Sequence, residues 1–183
     1  MIDNLTNRRS IRLRGYDYSQ RGLYFVTICS QNRLSLLGEI KNHEMVLNDA
    51  GRMVENEWNQ LKKRFLCVEL HDFIVMPNHF HGIIEIMKNE NVGIPLVGIR
   101  NADNGHPQGI APTIGQIMGA FKSITTNKYI QGVEQHDWKY FQVRLWQRNY
   151  YEHIIRNEQA YDKIAEYIIN NPCNWLKDNY YNE

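Results

Sequence analysis

A hairpin signal near the middle of the chain constrains the fold more than any other feature. Two runs rich in apolar, β-branched and aromatic residues, Val68–Met76 and His79–Met87, are separated only by Pro77 and Asn78. Proline fixes φ and asparagine tolerates turn geometry, so the runs are predicted to be adjacent antiparallel strands. At the start of the second, His79 and His81 flank Phe80. Side chains alternate along a strand, so both imidazoles share one face and Phe80 enters the opposite layer. Two neighbouring neutral imidazoles can bind a divalent metal. The plainer alternative is a pair of half-exposed strand histidines.

The remaining elements arrange themselves around this hairpin. Leu23–Cys29 reads as another strand, short, aromatic and β-branched, followed by a weaker extended pair at Ser35–Ile40 and His43–Val46. Asn48 or Asp49 can cap a helix to about Phe65, with Val54, Trp58, Leu61 and Phe65 forming one buried stripe. Thr113 can cap a second helix to about Tyr129, with Ile114, Ile117, Met118, Phe121 and Ile124 on its inner face. Phe141–Gln147 is the predicted fourth strand, Tyr150–Arg156 is ambiguous, and Asn157 can cap a last helix that ends before Pro172. The order predicts an α+β chain: a ferredoxin-like split βαβ antiparallel sheet with helices on one face and a C-terminal helix added. The other face is expected to be free for a ligand. Length fits one domain over residues 1–183, with residues 1–22 as a basic N-terminal arm and residues 88–112, rich in Asn, Gly and Pro, as a loop.

Charge excludes little, because the formal net charge is only +1. Its distribution says more. Arg8, Arg9, Arg12 and Arg14 crowd the N-terminus among Tyr16 and Tyr18, a mixture suited to phosphates and stacked bases, although a solvated basic tail has the same composition. The cysteines, Cys29, Cys67 and Cys173, are widely spaced and odd in number, which argues against a disulfide framework or thiolate zinc site and fits a reducing cytoplasm. No signal-peptide core and no apolar run of roughly 20 residues is present, so no membrane association is expected. No phosphate-binding glycine loop is present, so no nucleotide cofactor is expected either.

The last helix supplies a possible complement to the histidines. Tyr167 and Asn171 lie four residues apart and are neighbours on one helical face. An amide oxygen can be a hard third ligand for Mg²⁺ or Mn²⁺, and a phenol can be a nucleophile when a metal makes a phosphate electrophilic. Tyr167 as a core-boundary aromatic and Asn171 as a helix-terminal residue are the plain alternatives, and Tyr150, Tyr151 and Tyr161 are rival nucleophiles.

Four segments taken together carry a resemblance over residues 8–175: RRSIRLRGYDYSQRGLYFVTIC, MPNHFHGI, IGQIMGAFKS and LWQRNYYEHIIRNEQAYDKIAEYIINNP. In identity and order they resemble the REP-associated tyrosine transposases, relatives of single-tyrosine insertion-sequence transposases in the HUH endonuclease superfamily. The resemblance implies His79, His81 and Asn171 as metal ligands and Tyr167 as the catalytic nucleophile, with Asn171 standing where related insertion-sequence enzymes commonly have Gln. It implies cleavage and rejoining of single-stranded DNA at or near hairpins through a 5′-phosphotyrosine, with Mg²⁺ or Mn²⁺ as cofactor. It also implies a cytoplasmic, nucleoid-associated protein, either monomer or homodimer, with Arg8, Arg9, Arg12, Arg14 and Lys122 contacting DNA. Two other readings remain: a catalytically silent hairpin DNA or RNA binding module, and a metal hydrolase that uses water in place of Tyr167.

Overall fold

The computed structural model describes residues 21–87 and 112–181. Arg8, Arg9, Arg12 and Arg14, nearly all of the expected arm and residues 88–111 of the expected loop lie outside the described residues.

The sheet is built from β1 (Gly22–Cys29), β4 (Val68–Val75), β5 (His79–Ile86) and β6 (Tyr151–Ile155). Their order across it is β4-β5-β1-β6, with every neighbouring pair antiparallel. Two crossings generate that order. Helices α1 (Asp49–Asn59) and α2 (Leu61–Arg64) carry the chain from β1 to β4, and α3 (Ile114–His136) lies between β5 and β6. This is the split βαβ arrangement expected from the element order. A separate hairpin of β2 (Gly38–Lys41) and β3 (Glu44–Leu47) precedes α1.

Period-two alternation divides the sheet residues between two layers. Tyr24, Val26 and Ile28 of β1, with Phe80, Ile84 and Ile86 of β5, join the core beneath α1 and α3. Trp58 of α1 is central, its ring centroid 4.6 Å from Phe80 and 5.5 Å from Phe121 of α3. The expected helical stripe is present, since Val54, Trp58, Leu61 and Phe65 are all buried. Asn48 caps α1 by accepting from the Gly51 amide, and the helix is interrupted at Gln60 before the short α2. Below them the Glu57 carboxylate, 2 % exposed, is held by Arg64 of α2 and Lys128 of α3. A buried carboxylate needs such partners to remain charged.

The opposite layer is not free. Helix α4 (Glu158–Asn170), capped by Asn157, covers part of it by packing Ile164 and Ile168 against Phe25, Ile83 and Ile155. The histidines lie on the remainder of that face.

Two boundaries differ from the sequence expectation. The edge strand beside β1 is Tyr151–Ile155, not Phe141–Gln147, which forms a single bridge from Trp146 to Ser30. That segment cannot extend into a ladder because Val143 takes left-handed backbone (φ 62°) and the Trp146 indole turns inward to donate to Thr125 Oγ1 on α3. Helix α3 continues past Tyr129 to His136, and its last turn packs Gly132 directly under Trp138.

Gly82 marks the tightest contact between sheet and helix. A Cβ there would lie 2.7 Å from the Trp58 ring and 2.9 Å from the Phe80 ring, and neither buried ring has room to withdraw. Gly82→Ala is expected to cost about 1–3 kcal/mol through overpacking, measured as a lower denaturation midpoint in urea. An unchanged midpoint would refute the close packing of α1 on β5.

Candidate metal centre

The β1–β5 register places the two histidines. His81 pairs with Thr27 and His79 with Cys29, so both imidazoles rise from the α4 side of the sheet. Their ring centroids are 4.5 Å apart. Thr27 Oγ1 lies 2.8 Å from His81 Nδ1, which leaves His81 Nε2 turned toward α4. Asn78, expected only to form the turn, is fully buried and orients the other imidazole. Its Nδ2 donates to the carbonyls of Arg33 (3.2 Å) and Tyr180 (2.8 Å), so its Oδ1 must face His79 Nδ1, 2.8 Å away. Histidine with its Nδ1–H engaged in this way presents an Nε2 lone pair, the usual second-layer arrangement behind a metal ligand.

Helix α4 delivers the other two expected residues. The Tyr167 hydroxyl is 3.2 Å from His81 Nε2, while Asn171, 1 % exposed, closes the floor one turn later. The four residues His79, His81, Tyr167 and Asn171 therefore meet in one site. The fifth member, Asp178, belongs to no motif in the sequence. Its Oδ2 accepts from Asn171 Nδ2 (2.7 Å) and Tyr167 (3.2 Å), and its Oδ1 accepts from the Tyr180 amide (2.7 Å). Ligand atoms of His79, His81 and Asp178 all fall within 4.8 Å of one another. The chain after Pro172 folds back through a 3-10 turn at Trp175–Lys177, and Tyr180 covers the imidazoles with its ring 4.7 Å from His79.

Burial keeps both imidazoles unprotonated. Burial pushes His79 down to about 3, against the neighbouring Asn171 side chain, and burial together with His79 drives His81 well below the ordinary histidine range. Both rings are neutral at physiological pH, the form that coordinates metal. His79 Nε2 and Asn171 Oδ1 are buried and neither completes a hydrogen bond. A buried polar atom without a partner costs about 1–3 kcal/mol, so these two unsatisfied atoms, with the Asp178 carboxylate near the His79 ring, suit a divalent cation. Tyr167 keeps its proton: burial, then the Asp178 carboxylate, raise its hydroxyl well above the ordinary phenol range. The side chain is nevertheless 42 % exposed, giving the site its access to solvent.

The rival tyrosines engage other groups. Tyr161 donates to Asp72 at the irregularity in β4, Tyr150 packs against the α1–α3 core, and Tyr151 lies on β6 with its ring edge toward Phe25, 6.3 Å away. The Lys122 ammonium donates to the carbonyls of Gln147 (2.6 Å) and Arg148 (2.9 Å). Asn78→Ala removes the group that orients His79, and is expected to weaken Mn²⁺ binding about 10- to 100-fold by isothermal calorimetry. Wild-type affinity in that variant would show that His79 is not a ligand.

Among the described residues no helix is long and apolar enough to cross a membrane. No family model matches the chain. Among solved structures, a REP-associated tyrosine transposase bound to a REP hairpin superposes with a TM-score of 0.56, covering 94 % of this chain and 76 % of that one at 20 % identity. The likeness establishes a common fold: the mixed four-stranded architecture described above is that of the REP-associated tyrosine transposase. An uncharacterized protein of Haemophilus influenzae is 42 % identical over 175 residues, covering 96 % of this chain and 93 % of that protein. At that identity over nearly the full length of both, the chain belongs to the same family as the Haemophilus influenzae protein.

Proposed function

We propose that this protein is a transposase-like enzyme that cleaves and rejoins single-stranded DNA at or near hairpins, with Tyr167 as nucleophile. The observation that carries the reading is the placement of the Tyr167 hydroxyl 3.2 Å from His81 Nε2, at the edge of a histidine pair with unpartnered buried acceptors beside it. The shared fold with a transposase whose structure contains a REP hairpin supports the choice of substrate.

His79, His81 and Asn171 would hold Mn²⁺ or Mg²⁺, with Asp178 adjacent, and the cation would neutralise charge on a non-bridging phosphate oxygen. Tyr167 Oη attacks phosphorus and the bond to the 3′ oxygen breaks, leaving a 5′-phosphotyrosine and a free 3′-hydroxyl. The phenol proton passes to the Asp178 carboxylate that already accepts its hydrogen bond, and solvent water protonates the leaving 3′ oxygen. Phe25 lies edge-on to Tyr167 and stacks on His81, restricting both rings. Attack by another 3′-hydroxyl on the phosphotyrosine reverses the exchange and rejoins DNA, with the bond energy retained in the linkage. Arg8, Arg9, Arg12 and Arg14 would add phosphate contacts that raise affinity without reading sequence.

The test uses labelled single-stranded DNA carrying a hairpin, Mn²⁺ and a denaturing gel. A protein-linked label is expected, and Tyr167→Phe should reduce it by at least about a thousandfold, while chelation of the metal abolishes it. Cleavage without a link would identify water as the nucleophile, and binding without cleavage would identify a hairpin-binding module. Either result contradicts the proposal.

A further inference from the structure

Where the chain passes from α3 to β6, an exposed cleft of about 310 Å³ opens between the helix and the segment Val143–Arg148. A second hollow of about 250 Å³ adjoins it, lined by Gln31, Asn32 and Gln142, and the two share Val143 and Arg144. The first is basic. Arg144 and Arg148 are exposed, and among the described residues neither is ion-paired. Lys122 spends two donors on the carbonyls of Gln147 and Arg148, which leaves its third N–H at the cleft wall. Ser123, Thr126 and Asn127 line the helical side, at spacings that place them on one face of α3.

The groove is built rigidly. Trp146 is anchored on Thr125, Gln31 donates to the Leu145 carbonyl (2.7 Å) and Gln147 to the Cys29 carbonyl (2.9 Å). Val143 projects from it, 91 % exposed and in left-handed backbone that β-branched residues seldom adopt. The same rim leads to the histidines. Arg33, also left-handed, closes the Gln31–Arg33 turn, donates to the Asn179 carbonyl (2.8 Å) and lies 5.6 Å over the Tyr180 ring that covers His79.

We infer that these joined hollows form a phosphodiester-binding groove in which Arg144, Arg148 and Lys122 hold the single-stranded DNA flanking the hairpin. The inference rests on the strand-transfer reading above and adds to it the path of the strand. Unpaired, exposed guanidiniums above a hydroxyl- and amide-lined helical face match a flexible polyanion, and contacts of this kind set affinity and its salt dependence.

Fluorescence anisotropy with two oligonucleotides, a bare hairpin and the same hairpin with a single-stranded flank, provides the test across a salt series. Because both arginines are exposed, the doubly substituted R144A/R148A protein should keep the wild-type melting temperature. It is expected to bind the flanked oligonucleotide more weakly, on the order of tenfold, with a log–log salt slope shallower by about 1.4. The bare hairpin should be bound as by wild type. Unchanged affinity and slope for the flanked DNA would overturn the groove, and an equal loss on both oligonucleotides would move the contacts to the hairpin and overturn the strand path. The Tyr167-linked adduct, followed in parallel, separates the two failures. A wild-type adduct with no effect of R144A/R148A on binding removes only the groove, whereas a wild type that binds no DNA removes both readings.

Discussion

The pairing of β1 with β5 is the interaction on which the rest depends. Its register sets Thr27 beside His81 and Cys29 beside His79 on one face, and Val26 beside Gly82 and Ile28 beside Phe80 on the other. A slip of one residue would exchange the faces, burying the imidazoles under Trp58 and exposing Phe80. One ladder therefore packs the core and aims the imidazoles. Since β1 also pairs with β6, it anchors the segment from which α4 departs toward the histidines.

The site carries costs that a purely structural cluster would avoid. His79 and His81 are almost completely buried, and an unpartnered nitrogen and oxygen remain among them. Apolar residues at these positions would leave no such atoms unsatisfied. Instead Asn78 is pinned by two carbonyls so that His79 points inward, and Asp178 fixes both Tyr167 and Asn171. Under the proposed function these two unsatisfied atoms are completed by the bound cation.

Much of this was legible in the sequence because it is encoded locally. The Pro77-Asn78 turn, the alternation through His79–Phe80–His81 and the helix caps Asn48, Thr113 and Asn157 depend on a few neighbouring residues, and each is present as expected. The spacing of Tyr167 and Asn171 likewise predicts a shared helical face. What was not legible depends on contacts between distant segments. Phe141–Gln147 has the composition of a strand, yet its Trp146 is claimed by Thr125 of α3, and the plainer Tyr151–Ile155 takes the edge of β1 instead. Asp178 lies in a short polar run with no periodicity, and only the reversal after Pro172 carries it to the histidines. Asn78 looked like turn chemistry because its second task, orienting His79, uses carbonyls supplied by Arg33 and by Tyr180, 102 residues away. Lys122 reads as a solvent lysine in a helix, and its ties to Gln147 and Arg148 exist only once the loop has folded over it.

The proposed chemistry singles out Tyr167 among eleven tyrosines. Peptide mapping of the covalent DNA adduct tests it directly. Trypsin places Tyr150 and Tyr151 in residues 149–156, Tyr161 in 157–163 and Tyr167 in 164–177. After nuclease trimming of the adduct formed with Mn²⁺ and hairpin DNA, mass spectrometry should find the residual nucleotide mass on 164–177. The same mass on 149–156 or 157–163 would contradict the assignment and move the nucleophile away from the histidine pair.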